Sequence, residues 1–165
     1  KIQYAGNMGL LSFGTGWDYG KRNQWETDIF FGILPKYDSK RTKITMTLKQ
    51  NYMPWSIALG KEFAVEPLAC GMYFNTVFGN EFWTHEPERY PKGYYGFSST
   101  GRIHVFLGQR LTYNIPPRWR LGARAVTFYY EISTCDLYVV SAFTNKYLKP
   151  KDYLSLSFGL KTQLF

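Results

Sequence analysis

Residues 103–115 read Ile-His-Val-Phe-Leu-Gly-Gln-Arg-Leu-Thr-Tyr-Asn-Ile. Ile103, Val105, Leu107, Leu111, Tyr113 and Ile115 fall on one face of an extended chain. His104, Phe106, Gly108, Arg110, Thr112 and Asn114 fall on the other. A period of two is the signature of a β-strand with two unlike faces. The same alternation recurs along the chain. In Trp25 to Ile33, Trp25, Thr27, Ile29, Phe31 and Ile33 oppose Glu26, Asp28, Phe30 and Gly32. In residues 11–19, the odd positions are mostly large and apolar, and the even ones are Ser12, Gly14, Gly16 and Asp18. Ile44, Met46 and Leu48 oppose Thr45, Thr47 and Lys49. Leu68, Cys70, Met72 and Phe74 oppose Ala69, Gly71, Tyr73 and Asn75. Leu154, Leu156, Phe158 and Leu160 oppose Ser155, Ser157, Gly159 and Lys161. These segments predict an all-β chain.

One stretch is less regular. In residues 120–144, Leu121, Ala123 and Ala125 alternate with Gly122 and Arg124, and the pattern then blurs from Val126 to Ile132. A bulge there would exchange the faces. A turn near Ser133 to Asp136 would divide the stretch into two strands, with Leu137 to Thr144 as the second.

Composition bounds the reading. The chain has 165 residues and a net charge of +8, with 19% aromatic residues. That length suits one domain with a substantial core. A disordered chain would hold few aromatics. No run reaches the roughly 18 apolar residues of a membrane-spanning helix. Two cysteines exclude a disulfide-dense scaffold and a four-cysteine zinc site. The first residues lack the pattern of a secretory signal, so an exported protein would be present in its mature form. There is no internal repeat and no linker, so residues 1–165 are read as a single domain.

The two faces differ in an informative way. The apolar face is large and aromatic. The opposite face is small or charged: Gly14, Gly16, Gly32, Gly108, Gly122 and Gly159 with Asp18, Glu26, Asp28, Lys49, Arg110, Arg124 and Lys161. A narrow barrel interior suits small residues and paired charges, and an outward apolar band suits lipid. This is the inverted pattern of a transmembrane β-barrel. Trp17, Tyr19, Trp25, Tyr52, Trp55, Tyr113, Trp119 and Tyr153 stand near segment ends, where aromatic girdles form.

As a pattern over the whole chain, this resembles the small outer-membrane β-barrels of Gram-negative bacteria. The amphipathic last segment, ending in Phe165, is similar to the terminal assembly signal of that family. Phe165 itself is out of phase with Leu154, Leu156, Phe158, Leu160 and Leu164. The resemblance implies an antiparallel barrel in the bacterial outer membrane, with short periplasmic turns and long outer loops. Eight strands is the natural count for this length. Dividing 120–144 into two strands puts the long connection 81–101 at the periplasmic end. Treating it as one strand and adding Ile2 to Asn7 as another puts that connection outside. The sequence leaves both open.

Chemistry centres on few residues. His104 lies on the small, polar face beside the long connection. Asp18, Glu26 or Asp28 could orient it, and Ser12, Ser98 or Ser99 could be the nucleophile of an acyl hydrolase. Some outer-membrane barrels act on lipid A acyl chains in this way, with a serine close to the histidine in sequence. Ile103-His104-Val105-Phe106 has no such serine, and the competing reading is a histidine hydrogen-bonded within a polar lumen. Asp18, Glu26, Asp28, Lys49, Arg110 and Arg124 are expected to form a buried ion-pair network rather than a channel. Lys21, Arg22, Lys36, Lys40, Arg41, Lys43, Lys146, Lys149 and Lys151 are candidates for lipopolysaccharide phosphates. Nucleic acid is not an expected partner, because no stacking-and-basic motif is present. Cys70 is expected outward in mid-strand and Cys135 at a turn, which does not favour a bond between them. His85 with Glu86 and Glu88 is too poor a donor set for a metal site, and no cofactor is expected.

The leading expectation is a non-enzymatic barrel that serves as a structural or accessory subunit of a larger outer-membrane protein complex. Phe82, Trp83, Arg89, Tyr90, Tyr94, Tyr95 and Phe97, all in the long connection, would contact the partner, since Trp, Tyr and Arg dominate binding hot spots. The alternatives are a lipid A or phospholipid-modifying enzyme centred on His104 and a soluble lipocalin-like binder.

Overall fold

The computed structural model describes residues 1–35, 42–78, 101–120, 122–136 and 154–164. Its strands are β1 (Ile2–Ala5), β2 (Leu11–Tyr19), β3 (Trp25–Leu34), β4 (Lys43–Tyr52), β5 (Ile57–Leu59), β6 (Phe63–Phe78), β7 (Gly101–Asn114), β8 (Ala125–Cys135) and β9 (Ser155–Gln163). Every pairing is antiparallel. β1 pairs with both β2 and β9, and β4 pairs with β6, so the sheet closes on itself. Eight strands make the circuit. β5 extends the line of β4 and pairs only with β6.

The alternation predicts the faces correctly in β2, β3, β4, β7 and β9. In β3, Glu26, Asp28 and Phe30 are buried in the lumen while Trp25 and Phe31 face outward. In β7, His104, Phe106 and Arg110 point in, and Ile103, Val105, Leu107 and Leu111 point out. β8 is one regular strand with neither bulge nor turn before Cys135. Ala125, Thr127, Tyr129, Glu131, Ser133 and Cys135 face inward. The blurred reading has a simple cause: Tyr129 is an inward aromatic between two outward ones, Phe128 and Tyr130. The proposed second strand 137–144 lies outside the described residues.

The missing strand is β1. β1 and β9 enter and leave at one end of the barrel, with the turn at 20–24, the β5–β6 hairpin and the connection 115–124. This is the turn end. The turn 6–10, the finishes of β3, β6 and β8 and the starts of β4, β7 and β9 lie at the opposite, loop end. The long connection therefore springs from the end away from the finish of β9. This corrects the arrangement that divides 120–144 into two strands.

Two prolines shape the turn end. Tyr52 pairs with Cys70 and Ile57 with Val65, one continuous register interrupted at residues 53–56. Pro54 has no N–H to give the ladder, and Pro67 stands on the facing strand within an irregularity between Glu66 and Ala69. The irregularity exchanges the faces of β6. Phe63 joins the outer surface, its ring 5.1 Å from Tyr113, while Ala64 and Glu66 line the interior.

The lumen is filled. Met8, Phe30, Tyr73 and Phe106 form its apolar plug. Met8 is carried in by the turn 6–10, where the Met8 carbonyl accepts hydrogen bonds from Ser12 Oγ, at 3.4 Å, and from Thr45 Oγ1. Three large inward rings each stand directly opposite a glycine: Phe30 opposite Gly14, Phe106 opposite Gly71 and Tyr129 opposite Gly159. A Cβ on Gly159 would overlap the Tyr129 ring. Glycine here supplies space rather than conformational freedom.

Candidate functional site

Two polar layers occupy the lumen, one on each side of the apolar plug. Near the turn end the layer is ionic. Glu26 on β3 is the hub. It meets Arg110 Nη1 from β7, Lys161 Nζ from β9 at 3.2 Å, and Lys1 Nζ. Asp28, two residues on, takes Lys1 Nζ at 2.6 Å and a hydrogen bond from Asn51 Nδ2 at 2.9 Å. Asn51 Oδ1 in turn accepts from Arg110 Nη2 at 2.8 Å. Lys161 Nζ also reaches both oxygens of Asp18, at 2.7 and 2.9 Å, and Gln163 Nε2 donates to Asp18 at 2.8 Å. Deeper in, Lys49 Nζ on β4 pairs with Glu131 Oε2 on β8 at 2.5 Å and lies 4.2 Å from the centre of the Phe106 ring. Lys1, Lys49, Arg110 and Lys161 thus face Asp18, Glu26, Asp28 and Glu131. Burying an ion is costly unless it is paired and its remaining hydrogen-bonding groups are met. Equal numbers of opposite charges and bridging amides meet the pairing half of that condition, while Arg110 Nε and Glu131 Oε1 stay buried without a hydrogen-bond partner among the described residues.

Five of the six residues expected in this network are in it: Asp18, Glu26, Asp28, Lys49 and Arg110. Arg124 is not. It is exposed, in the connection just before β8. The reason is phase. The odd residues of β8 face the lumen, so Arg124 stands on the outer parity and ahead of the strand. Glu131, Asn51 and Lys1 were missed, and Lys161 was placed on the inner face but not in the network. Glu131 left a usable signal: a single acid in the run Tyr129-Tyr130-Glu131-Ile132 has no place on a lipid-facing surface. Its partner Lys49 lies 82 residues away in sequence, beyond any local pattern.

Below the ionic layer a vestibule of 570 Å³ opens at the turn end, lined in part by Asp18, Trp55, Glu66, Arg110 and Lys161. Glu66 stands 4.0 Å from Arg110 Nε. The vestibule ends at the ion pairs, and above them the rings of Phe30, Phe106 and Tyr73 fill the barrel. An eight-stranded barrel is narrow enough for side chains to fill. This lumen is filled, so the described residues form no continuous water path.

Near the loop end the groups hydrogen-bonded around His104 are neutral, with the charges of Asp136 and Arg102 beside them. His104 is buried and stacks on Tyr73, with ring centres 4.6 Å apart. Asn7 Nδ2 donates to His104 Nδ1 at 3.2 Å and lies 3.5 Å from Ser133 Oγ. Tyr73 Oη donates to Ser133 Oγ at 3.0 Å, Ser155 Oγ to Asn7 Oδ1 at 3.0 Å, and Asn75 Nδ2 to the Asn7 carbonyl at 2.6 Å. A catalytic triad needs the Nδ1–H of its histidine to donate to a carboxylate. Here Nδ1 accepts from an amide instead. The carboxylates proposed to orient His104, Asp18, Glu26 and Asp28, are engaged in the other layer, and Ser12 is engaged with Met8. Ser98 and Ser99 lie outside the described residues.

The remaining expectations divide similarly. Cys70 is partly exposed on the outer parity of β6, Cys135 is buried on the lumen parity of β8, and both are free thiols. Lys21 and Arg22 stand at the turn end and Lys43 at the loop end. Lys36, Lys40, Arg41, Lys146, Lys149 and Lys151 lie outside the described residues. So do His85, Glu86 and Glu88, and the residues expected to contact a partner: Phe82, Trp83, Arg89, Tyr90, Tyr94, Tyr95 and Phe97. The outer surface carries Phe13, Phe31, Leu48, Met72, Phe74, Leu107, Phe158 and Leu160, all substantially exposed. Trp25 and Tyr52, 4.5 Å apart, edge it toward the turn end beside Tyr19.

Fold and lumen together define a closed β-barrel of the transmembrane type, apolar outside and polar inside. No family model matches the sequence, and neither a curated protein nor a solved structure matches it significantly.

Proposed function

We propose that this chain is a non-enzymatic outer-membrane β-barrel that serves as a structural or accessory subunit of a larger membrane protein assembly. The observation that carries this reading is the pairing of a lumen filled by its own rings and ion pairs with an apolar exterior. The charges of the turn-end layer are paired with one another, and the polar cluster at His104 is arranged as a hydrogen-bonded brace. What remains for recognition is the outer wall, the rims and the loops. The exterior belt supports lipid as the surrounding medium. A soluble ligand-binding barrel needs the reverse arrangement, with an apolar cavity and a wet surface.

Lipid and lipopolysaccharide would contact the wall and the outer loops, and a larger membrane protein would engage the connection 79–100. Native mass spectrometry of the chain extracted in mild detergent tests the assembly. The expected result is a mass well above that of one chain, with a second polypeptide present. Deleting residues 82–97 is expected to release that polypeptide while the barrel keeps its heat-modifiable migration on a gel. Extraction as a bare monomer would remove the accessory role.

A further inference from the structure

The rim of the turn end is strongly basic. Lys21, Arg22, Lys61, Arg118, Arg120 and Arg124 are all exposed there, and among the described residues of that rim Glu62 is the one exposed carboxylate. None of the six basic side chains makes an ion pair with another described residue.

Two of them share a cleft. Arg120 and Arg124 line a 470 Å³ hollow with Gly122, Ala123 and Leu164. Arg120 is held through its side chain and Arg124 through its backbone. Arg120 Nε donates to the Ile115 carbonyl at 3.0 Å. The Arg124 N–H donates to the Gln163 carbonyl at 2.7 Å, and its carbonyl accepts from the Ile115 N–H at 3.0 Å. Gly122, at φ +95°, makes the bend between them. The hollow is apolar on one side. Leu164 is well exposed and shares the outward parity of β9 with Leu160 and Phe158. Trp17 lines the adjoining hollow with Arg124 and Leu164.

We propose that this cleft seats the phosphate of an anionic phospholipid in the leaflet facing the turn end, with the acyl chains lying along Leu164 and Leu160. The inference deepens the membrane-barrel reading above and rests on it. A guanidinium presents a planar fork of donors that matches phosphate oxygens, and two such residues line one hollow. Basic residues just beyond an apolar belt are drawn to anionic headgroups. The neighbouring tryptophan is of the type that sits at headgroup level. A zwitterionic headgroup would bring its own cation against the same arginines, so the cleft discriminates by charge.

The test uses the full chain in detergent micelles doped with either phosphatidylglycerol or phosphatidylcholine, with retained lipid counted by native mass spectrometry. Wild type is expected to retain phosphatidylglycerol preferentially. R124Q is expected to lower that preference about fivefold and R120Q/R124Q about 25-fold, since each basic residue near an anionic surface contributes a factor of that order. Equal retention of the two lipids, or an unchanged preference in the double variant, would overturn the proposal. Complete displacement of the lipid by excess inorganic phosphate would also overturn it, by showing a site for a lone anion. A carbonate wash of cell membranes keeps the two readings apart. If the chain washes off, the membrane barrel itself is wrong. If it stays but shows no lipid preference, only the headgroup site fails.

Discussion

The two polar layers of the lumen solve the same problem by different chemistry. Both must satisfy groups hidden from bulk water. The turn-end layer does so with full charges drawn from β2, β3, β4, β7, β8 and β9 and from Lys1, next to a vestibule at its outer edge. The loop-end layer does so chiefly with amides, hydroxyls and an imidazole bonded around Asn7, which a turn supplies, with Asp136 and Arg102 beside them. Charges brace strands far apart in sequence: Arg110 and Glu26 are 84 residues apart, and Lys161 and Asp18 are 143 apart. The loop-end layer instead fixes how the turn 6–10 folds into the barrel mouth.

That contrast can be broken from the ionic side first. Glu26→Ala removes the common partner of Arg110, Lys161 and Lys1 and leaves buried cations short of counter-charge. We expect a loss of about 3–5 kcal/mol, read as a lower urea midpoint for barrel unfolding. Lys49→Met orphans Glu131 and is expected to cost about 3 kcal/mol, while Lys49→Met/Glu131→Leu recovers most of it. A double variant no better than the single one would mean that the pair is not an isolated unit. Between the layers, Gly159→Ala forces the Tyr129 ring off its site and breaks its 3.1 Å hydrogen bond to Gln3. The expected cost is about 1–3 kcal/mol in the same titration. On the loop-end side, His104→Phe keeps the stack on Tyr73 and loses the bond from Asn7, for about 1 kcal/mol. If lipid A acylation also changed in cells carrying His104→Phe, the loop-end layer would be more than a brace.

Most of the architecture was legible before the structure, because the two-residue period reports which face each side chain joins. Trp25 to Ile33 and Ile103 to Asn114 were read correctly residue by residue. The reading failed where an element broke the period or fell short of showing one. Tyr129 is aromatic yet inward, so the parity of β8 was lost, and with it the placement of Arg124 and Glu131. β1 has four residues, too few to establish alternation, and its presence decides which end holds the long connection. β5 was invisible because Pro54 interrupts the strand it continues. The ionic layer was legible as a set of residues and not as a set of pairs. Partner choice depends on which strands face each other across the lumen, and barrel closure decides that.

The rings opposite Gly14, Gly71 and Gly159 bear on how the barrel is assembled without error. A strand that slips by two residues keeps its inside and outside faces, so the lipid-facing pattern alone would not reject it. The rings do. A two-residue slip between β6 and β7 would set Phe106 opposite Ala69 or Tyr73, and one between β8 and β9 would set Tyr129 opposite Ser157 or Lys161. Each wrong alignment presses a large ring against a side chain where the native one offers bare backbone. Glycine and aromatic together act as a proofreading mark on these two seams; between β2 and β3 the mark is one-sided, since a slip one way sets Phe30 against Ser12 and the other way against Gly16.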